Sequence, residues 1–276
     1  MANAGVGGHV EGLGATQRTD NWWVGPAFTF AVFTAWLVYF FWAAAQGRYF
    51  SAGPYVSPFY ITFEPAENAA VAQPTAALWG YWPAAWPNWL SPALIIGALP
   101  GMFRLSCYYY RKAYYRAFFG MPPGCAVGPV QVDYRGETGL LIVQNLHRYT
   151  LYLAILMLPL LYLDALHGLF WQGQVGIGLV TVMLLVNAVL LTGYTLGCHA
   201  WRHLIGGKLN CFSCDGVSEA RHGAWRFTTF LNQRHQQWAW ASLLWIAFCD
   251  IYIRLLAMGV VPDVNTWHGV TWMGDF

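Results

Sequence analysis

The chain has 276 residues, 57% of them hydrophobic and 9% charged, with a formal net charge of +2. Soluble domains carry about 25% charged residues, so the composition excludes an ordinary soluble fold and places the chain among membrane proteins. The small net charge gives no nucleic-acid partner, and six Cys in such a chain do not form a secreted disulfide framework.

Residues 1–24 are Gly-rich and polar, with Arg18 and Asp20, and end in an interfacial pair, Trp22 and Trp23. They lack a basic region followed at once by an apolar core, so no cleavable signal is expected. Pro26 to Gln46 is uncharged and apolar, long enough for about 30 Å and one crossing. Residues 48–87, rich in Pro, Ala, Tyr and Trp with Glu64 and Glu67, read as an extramembrane loop resting on the interface. A second helix is expected from near Trp89 to about Phe119, kinked at Pro100. Its far end, Arg104 to Arg116, is basic and aromatic, which suits emergence through the headgroups.

Residues 120–138 hold Pro122, Pro123, Gly124 and Gly128, then Asp133, Arg135 and Glu137, and read as a loop. A third helix is expected from about Leu140 to Phe170, a fourth from about Ile177 to Leu204, and a fifth from between Ala220 and Asn232 to near Gly259. The fourth would reach roughly 42 Å, longer than the ~30 Å hydrocarbon core, so its last turns fall at the interface. The expected fold is an all-α membrane protein: a five-helix transmembrane domain over 25–262, a cytoplasmic N-terminal segment 1–24, a metal-binding cytoplasmic loop 204–220 and an external tail 263–276. Orientation rests on Lys and Arg, since all but Arg48 and Arg254 of the 14 fall on one side of such a bundle. That side, which carries the N-terminus, is expected to be cytoplasmic, and the C-terminus outside.

The chemistry is concentrated between Cys198 and Cys214. His199 and His203 are four apart and share a helix face. Gly206 and Gly207 let the chain turn, and Cys211 and Cys214 then form a C-x-x-C. Two His and two Cys support two readings: tetrahedral structural zinc, or a Rieske-type [2Fe–2S] cluster with two Cys on one iron and two His on the other. The ligand order here, His-His-Cys-Cys, differs from that of soluble Rieske domains. Cys198 points roughly 100° away from His199 on a helix and reads as packed. His222 is the substitute ligand or a quinone contact.

Bis-His haem needs histidines on two facing helices. The first two helices contain none, His147, His199, His203 and His235 map to the cytoplasmic end, and His167 stands alone at the outer end. Two haems are therefore not expected, while one between His147 and a later His stays open. Asp250 and Arg254, i,i+4, and Asp164 and His167, i,i+3, read as pairs that help the helices pack, ahead of a proton path.

The stretches Gly-Met-Phe-Arg-Leu-Ser-Cys-Tyr-Tyr-Tyr-Arg-Lys-Ala-Tyr-Tyr-Arg-Ala-Phe-Phe-Gly at 101–120 and Gly-Cys-His-Ala-Trp-Arg-His-Leu-Ile-Gly-Gly at 197–207 closely resemble the cytochrome b-like membrane anchor of actinobacterial (mycobacterial) type-1 succinate dehydrogenase. The resemblance extends over nearly the whole chain. It implies a multi-pass plasma-membrane anchor, inactive alone, that joins a flavoprotein and an iron–sulfur subunit in a respiratory complex. It also implies an embedded Rieske-type [2Fe–2S] cluster in place of haem, which here falls to His199, His203, Cys211 and Cys214. Electrons would pass through it to a menaquinone- or ubiquinone-type quinone. The expected quinone contacts are Arg202, His222, Trp225 and Arg226, with His147 and Arg148 from the third helix. Arg111, Lys112, Arg116, Arg221 and Arg226 are the expected docking face. The competing readings are a five-helix protein with structural zinc, serving assembly or transport, and a b-haem anchor.

Overall fold

The computed structural model describes residues 14–61, 64–65, 81–82, 90–121, 123–128 and 144–267. The expected loop residues Glu67, Asp133, Arg135 and Glu137, the expected helix start at Leu140, and the tail residues His268 and Trp272 lie outside that set.

The first helix, α1 (Val24–Gln46), stops at Gly47, whose φ of 57° is the left-handed turn that ends helices. Two short strands follow, β1 (Ser51–Ala52) and β2 (Tyr55–Val56), paired antiparallel, and β3 (Glu64–Pro65) pairs in parallel with β4 (Tyr81–Trp82). The expected second helix is two helices, α2 (Pro92–Ser106) and α3 (Tyr108–Phe119). Pro100 lies inside α2 without ending it, and the break is at Cys107, which is extended at φ −69° and ψ 128°. Next come α4 (His147–His167), the hairpin β5 (Phe170–Trp171) and β6 (Gln174–Val175), and α5 (Leu179–Leu196). The hairpin turns on Gln172 and Gly173, both at positive φ, the geometry that matches the twist of a two-residue turn.

The expected over-long fourth helix is also broken. After α5, Gly197 stays helical, Cys198 is extended at ψ 143°, and a separate helix α6 (His199–Gly206) begins. A Cβ on Gly197 would lie 2.6 Å from the Gly193 carbonyl oxygen, so the chain can bend here only at glycine. Cys198 caps α6 through its sulfur, which accepts from the Ala200 N–H at 3.4 Å. The expected fifth helix resolves into α7 (Gly216–Asn232) and α8 (His235–Ala257), parted at Gln233–Arg234.

Four helices, α1, α4, α5 and α8, are long and apolar enough to cross a membrane by length and composition, and α2 is apolar but shorter at 15 residues. Four of the five expected crossings thus have full-length candidates among the described residues, and α2 extends about 22 Å. The chain is an all-α membrane protein.

Two compact units divide it, Met1–Val38 with Arg104–Leu146, and Tyr39–Phe103 with His147–Phe276. In the first, Thr16 Oγ1 donates to the Ala126 carbonyl at 2.6 Å, and Arg18 pairs with Asp20 and donates to the Cys125 carbonyl at 3.0 Å. Phe30 and Phe33 of α1 meet Phe118 and Tyr110 of α3 at centroid distances of 4.9 and 5.7 Å.

In the second unit, α5 packs between α4 and α8. One apolar cluster holds Leu158, Leu161, Ala188 and Leu191, and another holds Tyr55, Val180, Leu184, Ile253 and Trp267. Residues 263–267, expected as a tail, strap the start of α5: the Leu179 N–H donates to the Val264 carbonyl at 2.8 Å, and the Thr266 N–H to the Ile177 carbonyl at 3.1 Å. The expected Asp250–Arg254 pair forms, buried, with Nε to Oδ2 at 2.7 Å. The expected Asp164–His167 pair does not: Asp164 Oδ2 is buried with no hydrogen-bond partner among the described residues. Asp164 is buried in the packed interior, whereas His167, the last residue of α4, is half-buried at the helix end.

Candidate functional site

The site grows from the end of α5, where the chain stops, restarts as α6 and turns back into α7. His199 and His203 are both exposed on α6. Gly206 ends that helix beside Trp225 of α7, where a Cβ would come within 2.3 Å of the indole. The two helices therefore approach closely only because position 206 has no side chain.

Arg221 fastens the turn. Its Nε donates to the Ile205 carbonyl at 2.9 Å and its Nη2 to the Gly207 carbonyl at 2.8 Å, satisfying the orphan carbonyls at the end of α6. At the other end of α7, Asn232 Nδ2 donates to the Gly197 carbonyl at 2.7 Å. Asp215 caps the start of α7, accepting from the Ser218 N–H at 2.9 Å and from its hydroxyl at 2.8 Å. Those two donors hold the Asp215 carboxyl below its ordinary value.

Against this frame lies a column of rings. Phe212, between the two cysteines, stacks on His222 at 4.5 Å, and His222 stacks on Trp225 at 5.9 Å. The Arg202 guanidinium sits over the Trp225 ring at 4.5 Å, within cation–π range. Arg202 Nε also donates to Thr229 Oγ1 at 3.0 Å, and that hydroxyl donates to the Trp225 carbonyl at 2.7 Å. Three of the expected quinone contacts, Arg202, His222 and Trp225, thus form one layered surface. Arg226 is exposed and outside the column.

From α4, Arg148 Nη2 lies 3.0 Å from His203 Nδ1. Guanidinium only donates, so Nδ1 is the acceptor and the neutral ring carries its proton on Nε2. His147 stands apart from the ring column. It stacks on Phe103 at 4.6 Å, and its Nε2 is 2.9 Å from the sulfur of Cys198. Cys198 is 2% exposed, a packed residue as its position beside His199 predicts.

The four expected metal ligands are not gathered on one centre. Cys211 and Cys214 are joined to each other as a disulfide, and His203 Nδ1 is engaged by Arg148. Among the described residues no group of three or more His, Cys, Asp or Glu is placed to hold a metal ion. Sequence reasoning missed Arg221 as the clasp of the loop, having assigned it to docking. It also missed Thr229, Asn232 and Phe212. The signal for Arg221 was present: a cation one turn inside a helix that follows a Gly-Gly turn can reach back to the preceding helix's carbonyls.

Fold and site together define a multi-pass, all-helical plasma-membrane subunit whose polar chemistry is gathered where α5 gives way to α6 and α7. The chain belongs to the family of actinobacterial succinate dehydrogenase subunit SdhC, whose model matches residues 24–259. It is the membrane anchor subunit of a succinate dehydrogenase. Among solved structures it is similar to a chain of the Mycobacterium smegmatis Sdh1 complex in the apo form, at 36% identity and a TM-score of 0.82, covering 92% of this chain and 94% of that one. A search among curated proteins finds no significant match.

Proposed function

We propose that this subunit passes electrons from a soluble iron–sulfur partner to quinone through a [2Fe–2S] cluster held by His199, His203, Cys211 and Cys214. The carrying observation is the convergence of the Cys211 and Cys214 sulfurs within a loop that Arg221 fastens to the end of the histidine-bearing helix. The donor set has the right chemistry: two thiols able to reach one iron once reduced, and two imidazoles one helical turn apart for the other. When bound, such a cluster transfers single electrons.

The chain's own residues do the rest. Arg148 orients the His203 ring from α4. Arg202 and His222 offer hydrogen-bond donors to quinone carbonyls, and the Trp225 and Phe212 rings give its flat head group a surface to stack on. Thr229 fixes the direction of Arg202, so the donor is preset before quinone arrives. Arg226, one residue beyond Trp225, is exposed and stands outside that surface.

The partners are the flavoprotein and iron–sulfur subunits of a succinate dehydrogenase. The exposed cations Lys208 and Arg226 flank the loop on the docking side. Arg221 is withdrawn from that role by its two carbonyls. The clustering of Lys and Arg around this loop supports a cytoplasmic position for it.

The test is metal and spectroscopic analysis of the intact complex, wild type against Cys211→Ala and Cys214→Ala. The expected result is iron with acid-labile sulfide, and a low-average-g EPR signal on reduction by succinate. Both variants lose that signal while the partner's signals persist. One zinc per anchor, or a Soret band from haem in place of the signal, sinks the reading.

A further inference from the structure

Two polar layers are buried between the spans of the second unit, and they are built differently. At Asp250 and Arg254 of α8 every strong group is matched. Arg254 donates to Asp250 at 2.7 Å, to Gln46 Oε1 at 2.8 Å, and to the Arg48 and Ala43 carbonyls at 2.7 and 3.0 Å. The Tyr39 and Ser57 hydroxyls also donate to the Asp250 carboxylate.

Asp164 of α4 and Asn187 of α5 form the second layer, 5% and 0% exposed. Asp164 Oδ2 and both polar atoms of the Asn187 amide have no hydrogen-bond partner among the described residues. A buried polar group without a partner is costly and rare. Within a bilayer no bulk solvent is at hand to supply one.

The two side chains lie at one level. The β5–β6 hairpin joins α4 to α5, so the helices run antiparallel. Thr181 Oγ1 donates to the Gly168 carbonyl at 2.7 Å, and the Tyr162 and Thr192 hydroxyls are 3.1 Å apart. Asp164 falls between Tyr162 and Gly168, as Asn187 falls between Thr181 and Thr192, so these two contacts hold them abreast. The third side is α8. Trp245 Nε1 donates to the Met183 carbonyl at 3.0 Å, the Cys249 sulfur lies 3.6 Å from the same oxygen, and Cys249 is within electrostatic reach of Asp164. That carbonyl, one turn before Asn187, is already in use and leaves the amide unserved.

We propose that Asp164 and Asn187 bind an internal water between α4, α5 and α8. Asn187 presents a donor and an acceptor, Asp164 an acceptor, and a water molecule supplies both complements. Buried waters of this kind make about three hydrogen bonds to groups the protein cannot otherwise satisfy. The site lies about 25 Å along α4 from His147, and it depends on neither the cluster nor quinone.

The test is a cryo-EM map of the intact complex, at a resolution where buried waters in the soluble subunits are visible. The expected result is density within hydrogen-bond distance of Asp164 Oδ2 and the Asn187 amide. A map with waters elsewhere and none here overturns the proposal, as does one in which the two side chains bond directly to each other. Asn187→Leu gives a second readout. In a hydrated site it strands Asp164 and its water and lowers the melting temperature of the complex. In a dry site it deletes two unsatisfied atoms and raises it, against the proposal. If the variant does not assemble, the wild-type map decides.

Discussion

Replacing Arg254 by Leu removes the partner of four hydrogen-bond acceptors at once. Two of them, the Gln46 amide and the Arg48 carbonyl, lie in partly buried contacts near the end of α1 and can turn towards water. The other two cannot. The Asp250 side chain is 0% exposed and loses its paired cation, keeping the Tyr39 and Ser57 hydroxyls, and the Ala43 carbonyl is sealed in the interior. Breaking one side of a buried ion pair costs about 3–5 kcal/mol, while the Ala43 carbonyl keeps the Tyr60 hydroxyl, which also donates to it at 3.2 Å. R254L should therefore destabilise the protein by about 4 kcal/mol. Asp250→Leu alone strands the guanidinium and should cost a similar amount. The double variant leaves no buried charge, so it should cost less than the sum of the singles, by about 2 kcal/mol or more. The assay is the thermal or denaturant stability of the purified complex in mild detergent, read as a double-mutant cycle. An R254L loss under about 1 kcal/mol, or a double variant as poor as the sum, refutes the assignment of this layer as a single cooperative network.

Gly206→Val drives a branched side chain into Trp225; it should raise the KM for quinone while succinate-to-dye activity holds, and an unchanged KM counts against the ring column as the quinone surface. Cys198→Ala should leave the iron and acid-labile sulfide content of the complex intact, whereas Cys211→Ala lowers both; iron loss in both variants makes Cys198 a ligand. Asp215 has its folded value held below the ordinary 3.8 by Ser218, so its cap contributes fully above that pH and is lost as pH falls through the lower folded value. The Ser218 amide should accordingly lose exchange protection only in acid, and in Asp215→Ala it should be unprotected at every pH.

The membrane class and the apolar spans were legible because they rest on run length and composition, and those do not depend on neighbours. The breaks were not. Cys107 and Cys198 are neither proline nor glycine, and nothing local marks them as extended. Cys198 takes that conformation because Gly197 can lie against the Gly193 carbonyl and because its sulfur then caps α6. Pro100 lies inside α2, within the helix where the sequence placed it. The loop after α5 stood out through the spacing of His199, His203, Cys211 and Cys214, but that spacing did not foretell the joining of Cys211 to Cys214 or the stacking of Arg202 on Trp225. The contact of His147 with Cys198 was invisible, because it joins residues 51 apart that only the packing of α4 against the α5–α6 junction brings together. The clasp by Arg221 was hidden by charge: a cation beside a basic loop reads first as a docking group, and only the geometry shows it turned inward.

The break after α5 also bears on how the protein sits in lipid. An unbroken helix from Ile177 to Leu204 would overshoot the hydrocarbon thickness and have to tilt or stretch the bilayer around it. As built, α5 has 18 residues, a length of about 27 Å, close to that of the core itself. The span can stand near upright, and α6 is free to follow the headgroup plane. Hydrophobic mismatch is thereby removed from the span that leads into the histidine-bearing α6, so a thicker or thinner membrane should shift the tilt of α1 and α8, each 23 residues long, before it shifts the depth of His199 and His203.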